Sequence, residues 1–358
     1  QPLHCAAMPE SSQQPTVLDR QSELMGLGEQ LKDRVLMGCD TEFNRTQTYR
    51  PQLCLVQLDM PGGAACVDVL AGLDLEPLLA VLGRAELLKV FHAAKQDMEA
   101  IQLTFGVLPG PLFDTQIAAG LVGYAPQIGY ANLVEAVLGV SLGKSETRTD
   151  WARRPLSAAQ LDYAGDDVHY LQPLHDALYE RLVDAGRLEW AIEDSATLLE
   201  PGQYEAAPEK AWTRIGSIAY LPVPAQARAR RLTAWREARA SQVDRPRQWI
   251  MSDKALLAIA QANPGDERSL ARVSELTPGA IRSQGRRILD ELQAANDAVA
   301  SNDINFQQQT KPLPPDAQRL KALSRQAKAI AEELDIAPEL LVTRRELTAL
   351  LRGRTDVR

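Results

Sequence analysis

The sequence has no Cys-x-x-Cys pair, no run of about 18 apolar residues and no excess of positive charge, and each absence removes a class of function. The four cysteines, Cys5, Cys39, Cys54 and Cys66, lack the spacing of a zinc or redox site. Three of them sit in apolar, strand-like segments and are expected as buried, reduced thiols. Without a long apolar run, no membrane-spanning helix is expected. The N-terminus is rich in Gln, Ser and Pro and lacks the basic and apolar regions of a secretion signal, so a cytoplasmic protein is expected. Residues 1–7, QPLHCAA, precede Met8 and carry no assigned function. No repeat with a fixed period of 20–50 residues is present.

The net charge of −8 argues at first against a nucleic-acid partner, because phosphate binding needs a basic footprint. The average hides an asymmetry. Between Glu209 and Leu292 there are 15 Lys or Arg against 9 Asp or Glu, so that stretch carries +6 and the remainder −14. An acidic part and a basic part on one chain remain compatible with RNA if cations offset the acids locally.

At 358 residues the chain is expected to form two or three domains, and its 45% hydrophobic and 24% charged content is that of a folded protein. From Val35 to Val69 the pattern is strand, turn, strand, turn, strand: VLMGCDTEF, PQLCLVQLD, then AACVDV after the Pro61-Gly62-Gly63 turn. LLKVFH (87–92) reads as a buried strand between helical stretches and LFDTQ (112–116) as a fifth, which predicts an α/β sheet covered on both faces. Apolar residues at Leu161, Val168, Leu171, Leu174, Leu178 and Leu182 predict one long helix from Ser157 to Ala185, stopped by Gly186. Beyond Pro201-Gly202 strand signals vanish and Ala/Leu/Arg-rich helical patterns begin. Residues 300–316 are polar and proline-rich, as a linker should be.

Three small constellations carry chemistry. Asp40 and Glu42 flank Thr41 at the end of the first strand, where alternation puts both carboxylates on one face, about 6–7 Å apart along the backbone. Oxygen-only ligands of this kind suit Mg²⁺ or Mn²⁺, although a solvated strand end is the ordinary setting for such a pair. Asp97 stands at or just inside a helix after the buried strand, where a cap or dipole partner is equally common. Tyr163 and Asp167 are i and i+4 on a helix, so a phenol and a carboxylate reach the same place.

In this order, Asp-x-Glu, Asp and Tyr-x-x-x-Asp look like the three exonuclease motifs of the DEDD superfamily in its tyrosine form. The longer segments CDTEF, QLCLVQL, KVFHAAKQD, FDTQIAAGLVGY, KSETRTDW, RPLS and LDYAGDDVHYL resemble the ribonuclease D family along most of residues 35–185. The stretch from Glu209 to Leu292, with RPRQWIMSDKALLAIA and TPGAIRSQGRRILDEL, is similar to an HRDC domain. The last 48 residues begin like a second one, at LDIAPELLVTRREL, and stop short of the helices that would complete it.

The resemblance implies a ribonuclease H-like α/β domain with a mixed five-stranded sheet whose second strand is antiparallel, followed by all-α HRDC-like domains. The implied division is a tail over 1–16, the exonuclease domain over 17–205, an HRDC domain over 206–298, a linker over 299–316 and a second HRDC-like region over 317–358. The implied activity is metal-dependent 3′-to-5′ removal of nucleoside 5′-monophosphates from RNA with a free 3′ end, with tRNA precursors and other small structured RNAs as substrates. Two divalent ions, Mg²⁺ or Mn²⁺, would be held by Asp40, Glu42, Asp97 and Asp167, with Asp40 bridging and Tyr163 orienting the attacking water. No organic cofactor and no membrane partner is expected. Thr41, Phe43 and Tyr130 are nominated for the nucleotide, and Arg228, Arg231, Arg286 and Arg287 for phosphates. His92 is expected to be structural. A DNA exonuclease and a non-catalytic RNA-binding scaffold are the competing readings.

Overall fold

A computed structural model describes residues 14–143, 149–204, 207–273, 276–309 and 316–353. Residues 144–148 of the KSETRTDW segment, and Cys5 with the first part of the tail, lie outside the described residues. The chain divides into two compact units. One comprises residues 1–44, 51–204 and 314–358; the other comprises 45–50 and 205–313.

The first unit is built on a six-stranded mixed sheet of order β1-β4-β3-β2-β5-β6. Its strands are β1 (Thr16–Leu18), β2 (Leu36–Asn44), β3 (Gln52–Met60), β4 (Gly63–Asp68), β5 (Leu88–Phe91) and β6 (Leu112–Asp114). The five strands expected are all present, and β3 runs antiparallel to β2 and β4, while β5 and β6 run parallel to β2. The sixth, β1, pairs parallel to β4. Three residues, TVL, are too short to show an alternation, which is why the pattern does not reveal this strand.

Successive residues of β2 feed opposite faces. Leu36 joins the core formed by Val90, Phe113, Val168, Leu171 and Leu174, whereas Met37 and Cys39 join the other, with Leu58, Met98 and Ile101. Gly38 marks a close approach: a Cβ there would meet the Leu171 Cβ and the Val168 carbonyl at 3.0 Å. A side chain at this position would push the covering helices off the strand, two residues from Asp40 on the same face.

The single helix expected from Ser157 to Ala185 is in fact two, Ala158–His169 and Leu171–Asp184, meeting at Tyr170. Pro173 explains the break, since it has no N–H for the His169 carbonyl and its ring crowds that carbonyl. The start is as expected: the Ser157 hydroxyl accepts from the Gln160 N–H (3.2 Å) and the Gln160 side chain accepts from the Ser157 N–H (2.9 Å).

Helices Ala317–Glu333, Pro338–Leu341 and Arg344–Leu351 belong with this unit. Leu340 packs on Gly120, and the Arg187 guanidinium donates to the Leu121 and Leu334 carbonyls. The second unit is helical. Helices Val223–Gln242, Asp253–Ala262 and Pro278–Ala300 close over Ile218, Leu232, Leu256, Ile259, Leu270, Ile288 and Leu292. No helix among the described residues is long and apolar enough to cross a membrane.

Candidate active site

Three elements of the sheet unit bring the acidic residues together. Asp40 and Glu42 project from the end of β2, just before a register shift between Glu42 and Phe43. The helix Ala158–His169 carries Tyr163 and Asp167 over that face, and the helix Lys95–Phe105 carries Asp97 in its first turn. One carboxylate oxygen each from Asp40, Glu42 and Asp167 lie within 4.8 Å of one another. Asp97 is not one of that trio, and its Oδ1 accepts a hydrogen bond of 2.5 Å from the buried Thr41 hydroxyl.

Like charges in a desolvated place disfavour ionisation. Burial raises the Asp40 carboxyl well above its usual range, and repulsion from Asp97, Asp167 and Glu42 adds to it. Burial, then Asp167 and Asp97, push Glu42 up to about 9. Asp97 rises to about 7 through burial, against the pull of the Thr41 hydroxyl. Asp167 rises to about 7, again mainly through burial, while a hydrogen bond from Tyr163 pulls the other way. Its Oδ2 is buried with no hydrogen-bond partner. Crowded carboxylates with a spare oxygen fit a hard divalent cation, whose charge would remove the repulsion.

Tyr163 is itself raised, by burial first and then by the charges of Asp167, Glu42 and Asp40. It packs beside the buried Trp151, ring centroids 6.0 Å apart. Arg154 seats that tryptophan: its guanidinium grips both oxygens of Asp68 at 2.6 Å and donates to the carbonyls of Trp151 (2.7 Å) and Cys54 (3.1 Å). Asp114 does a similar service for Asp97. Its carboxylate accepts from the N–H groups of Ala93 (3.1 Å) and Ala94 (2.8 Å), holding Ala93 at φ 57° at the entry to the helix. Sequence reasoning missed Trp151, Arg154, Asp68 and Asp114. The only signal was that DW, RPLS and FDTQ lie within the family-like segments, and nothing in their spacing assigns a partner.

The nominated nucleotide residues are placed differently. Thr41 is engaged with Asp97, and Phe43 is half-buried against the core of the sheet. The Tyr130 hydroxyl donates to the Asp166 carbonyl (2.8 Å) and accepts from the Tyr170 N–H (3.2 Å), so it braces the break between the two helices. Both ring nitrogens of His92 are taken, by the Thr115 hydroxyl (2.9 Å) and the Ile128 carbonyl (3.0 Å), which is a structural setting.

In the helical unit, the buried Arg228 guanidinium is occupied by the Ala260 carbonyl and Asn296. Arg231 and Arg287 both pair with Glu291, at 3.0 and 3.1 Å, and the exposed Arg286 pairs with Asp290 at 3.3 Å.

Comparison with known proteins agrees with this arrangement. The 3′-5′ exonuclease family model matches residues 15–183 and the HRDC domain model matches residues 225–292. Ribonuclease D of Gluconacetobacter diazotrophicus is 39% identical over 94% of this chain and 86% of its own length. That of Granulibacter bethesdensis is 37% identical over the same shares. The crystal structure of Escherichia coli RNase D, an exoribonuclease involved in structured RNA processing, superposes with a TM-score of 0.88 at 32% identity, covering 97% of this chain and 92% of that one.

Proposed function

The chain belongs to the ribonuclease D family and is a 3′-to-5′ exoribonuclease, and from that premise we propose how its residues act. Asp40, Glu42, Asp97 and Asp167 would hold two divalent ions, Mg²⁺ or Mn²⁺. The observation that carries this is the crowding of three carboxylates within 4.8 Å beside a buried, unpartnered oxygen of Asp167. When bound, such ions stabilise charge on phosphoryl oxygens and make water a better nucleophile near neutral pH.

Tyr163 stays protonated at neutral pH, since its phenol is raised above its ordinary value of 10.0. Its part is therefore to aim an oxygen through the O–H, not to remove a proton. Thr41 fixes the rotamer of Asp97, and Trp151 with Arg154 fixes the ring of Tyr163. We assign stacking on the terminal base to the exposed part of the half-buried Phe43, and phosphate contacts to Arg231, Arg286 and Arg287, which the strand would share with their acid partners. The products are nucleoside 5′-monophosphates, and the substrates we favour are tRNA precursors and other small structured RNAs. Cys39, Cys54 and Cys66 are free and buried, which suits the reducing cytoplasm.

The test is a 5′-labelled RNA with an unpaired 3′ tail, incubated with Mg²⁺, with Mn²⁺ and with chelator, beside a DNA strand of the same sequence. A ladder that shortens from the 3′ end of the RNA only with metal is expected. Faster loss of the DNA would overturn the substrate class, and activity that survives chelation would overturn the metal site.

A further inference from the structure

Arg230 lies on the helix Val223–Gln242, and both faces of its guanidinium are covered. The Trp212 ring centre is 3.8 Å from the guanidinium carbon and the Phe306 ring centre 3.9 Å. Such a sandwich satisfies the faces of the cation and leaves its in-plane N–H donors to find acceptors at the edge. Nε is buried with no hydrogen-bond partner. Among the described residues no carboxylate forms an ion pair with Arg230, whereas Arg231, Arg236 and Arg247 of the same unit each have one.

The guanidinium borders a cavity of about 840 Å³ lined by Val223, Asn302, Ile304, Asn305, Phe306, Gln307 and Gln309. Among the described residues this lining contains no acid, so Arg230 is its one charged side chain, and four amide side chains surround it. The wall is the polar stretch after the helix Pro278–Ala300, which composition marks as a linker. It is pinned to the unit instead: the Gln309 N–H donates to the Ala219 carbonyl (2.9 Å) and the Gln308 amide to the Tyr220 carbonyl (3.1 Å). A segment with few apolar residues is thus held in place around one stacked arginine. Docking alone does not require leaving the buried Nε of that arginine without an acceptor, at the cost such a group carries.

We propose that this cavity, built by Arg230 with Asn302, Asn305, Phe306, Gln307 and Gln309, is a binding subsite for a backbone phosphodiester of the RNA substrate. A guanidinium fork fits two phosphate oxygens, and the amides fit the other phosphate oxygen and the ribose hydroxyls. The proposal rests on the exoribonuclease reading and adds a second place where the same strand is held.

The experiment measures equilibrium binding of a fluorescein-labelled single-stranded RNA to the full chain carrying Asp40→Asn, so that the probe survives. Arg230→Gln is expected to weaken binding about tenfold and to flatten the log–log salt dependence by about 0.7, the share of one phosphate contact on a single strand. Should Arg230→Gln fail to fold, Asn305→Asp decides. Asn305 is exposed, and the added charge faces the cavity without touching the core. It is expected to weaken RNA binding several-fold with an unchanged melting temperature. Inorganic phosphate and a nucleoside 5′-monophosphate, used as competitors, separate the sources of the anion. RNA binding equal to the parent in both variants overturns the subsite, as does loss of mononucleotide binding alone. An unsubstituted protein that binds no RNA and, given Mg²⁺ or Mn²⁺, degrades none overturns the exoribonuclease reading itself.

Discussion

Two regions of this molecule bury carboxylates, and they handle the charge in opposite ways. In the helical unit Glu237 is 1% exposed and accepts from Tyr49 (2.6 Å), Arg214 (2.6 Å) and both donors of Arg247 (2.9 and 3.1 Å). Burial opposes its ionisation, but these donors outweigh it and hold the carboxyl down at about 2. In the sheet unit Asp40, Glu42, Asp97 and Asp167 crowd together with a hydroxyl or two for company, and all four are raised. A carboxylate whose cations are part of the chain is structural. A set whose cations are missing from the chain is a binding site, and the difference is legible in the direction of the shift.

The same chemical change should therefore have opposite effects in the two regions. Asp40→Asn is expected to lower exoribonuclease turnover by on the order of 10³-fold or more, because it removes one carboxylate of the cluster that would hold the ions, while RNA binding stays close to normal. It should also raise the melting temperature of the metal-free protein, since one of several mutually repelling groups is gone. Turnover near that of the parent would sink the assignment. Tyr163→Phe comes next, with turnover down about a hundredfold and metal-induced stabilisation retained, as for a group that aims water without ligating an ion. Loss of the metal response in that variant would move Tyr163 into the ligand set.

Glu237→Gln should destabilise. It leaves Arg214, Arg247 and the Tyr49 hydroxyl facing a neutral amide, and the expected loss is roughly 2 kcal/mol, below the usual figure for a broken buried pair because both arginines reach water. Its sign with pH is also opposite to that of the acidic cluster: a carboxyl held at about 2 contributes stability above its unfolded value, lost as pH falls toward 2. Chemical denaturation with and without the substitution measures both. An unchanged midpoint would show that the network has no net worth.

How much of this was legible in the sequence follows from the range of each interaction. Asp40 and Glu42 share a face because strands alternate, and Tyr163 and Asp167 because helices repeat. Both periods are local, so the spacing of the letters was enough. Thr41 gripping Asp97, Arg154 gripping Asp68 and Asp114 shaping the turn at Ala93 join residues 56, 86 and 21 positions apart in the chain. No periodicity carries that information. Pro173 was visible, but the apolar spacing on both sides of it ran through the break, because the two helices bury the same face of the sheet. The basic stretch was read as charge for phosphates. Arg228, Arg236 and Arg247 prove to be spent on carbonyls, an amide and acids of their own unit, while Arg230, read with the same basic stretch, has no ion pair among the described residues and no acceptor for its buried Nε.

The smallest expected effect tests the comparison most directly. With folded values of about 7 for Asp97 and Asp167 and about 9 for Glu42, the native cluster at pH 6 still holds protons that unfolded carboxyls, near 4, have released. The folded state thus binds more protons than the unfolded one between about pH 4 and 9, so metal-free stability falls as pH rises through that window. A divalent cation competes with the same protons, and its contribution must grow as they leave. Saturating Mg²⁺ is expected to raise the melting temperature of the sheet unit by about 5 °C at pH 8 and by less than about half of that at pH 6. Glu237 is ionised at both values and should contribute nothing to the difference. Equal shifts at the two pH values would mean that the acidic cluster is already ionised without metal, and the contrast between the two regions would then lie in geometry alone.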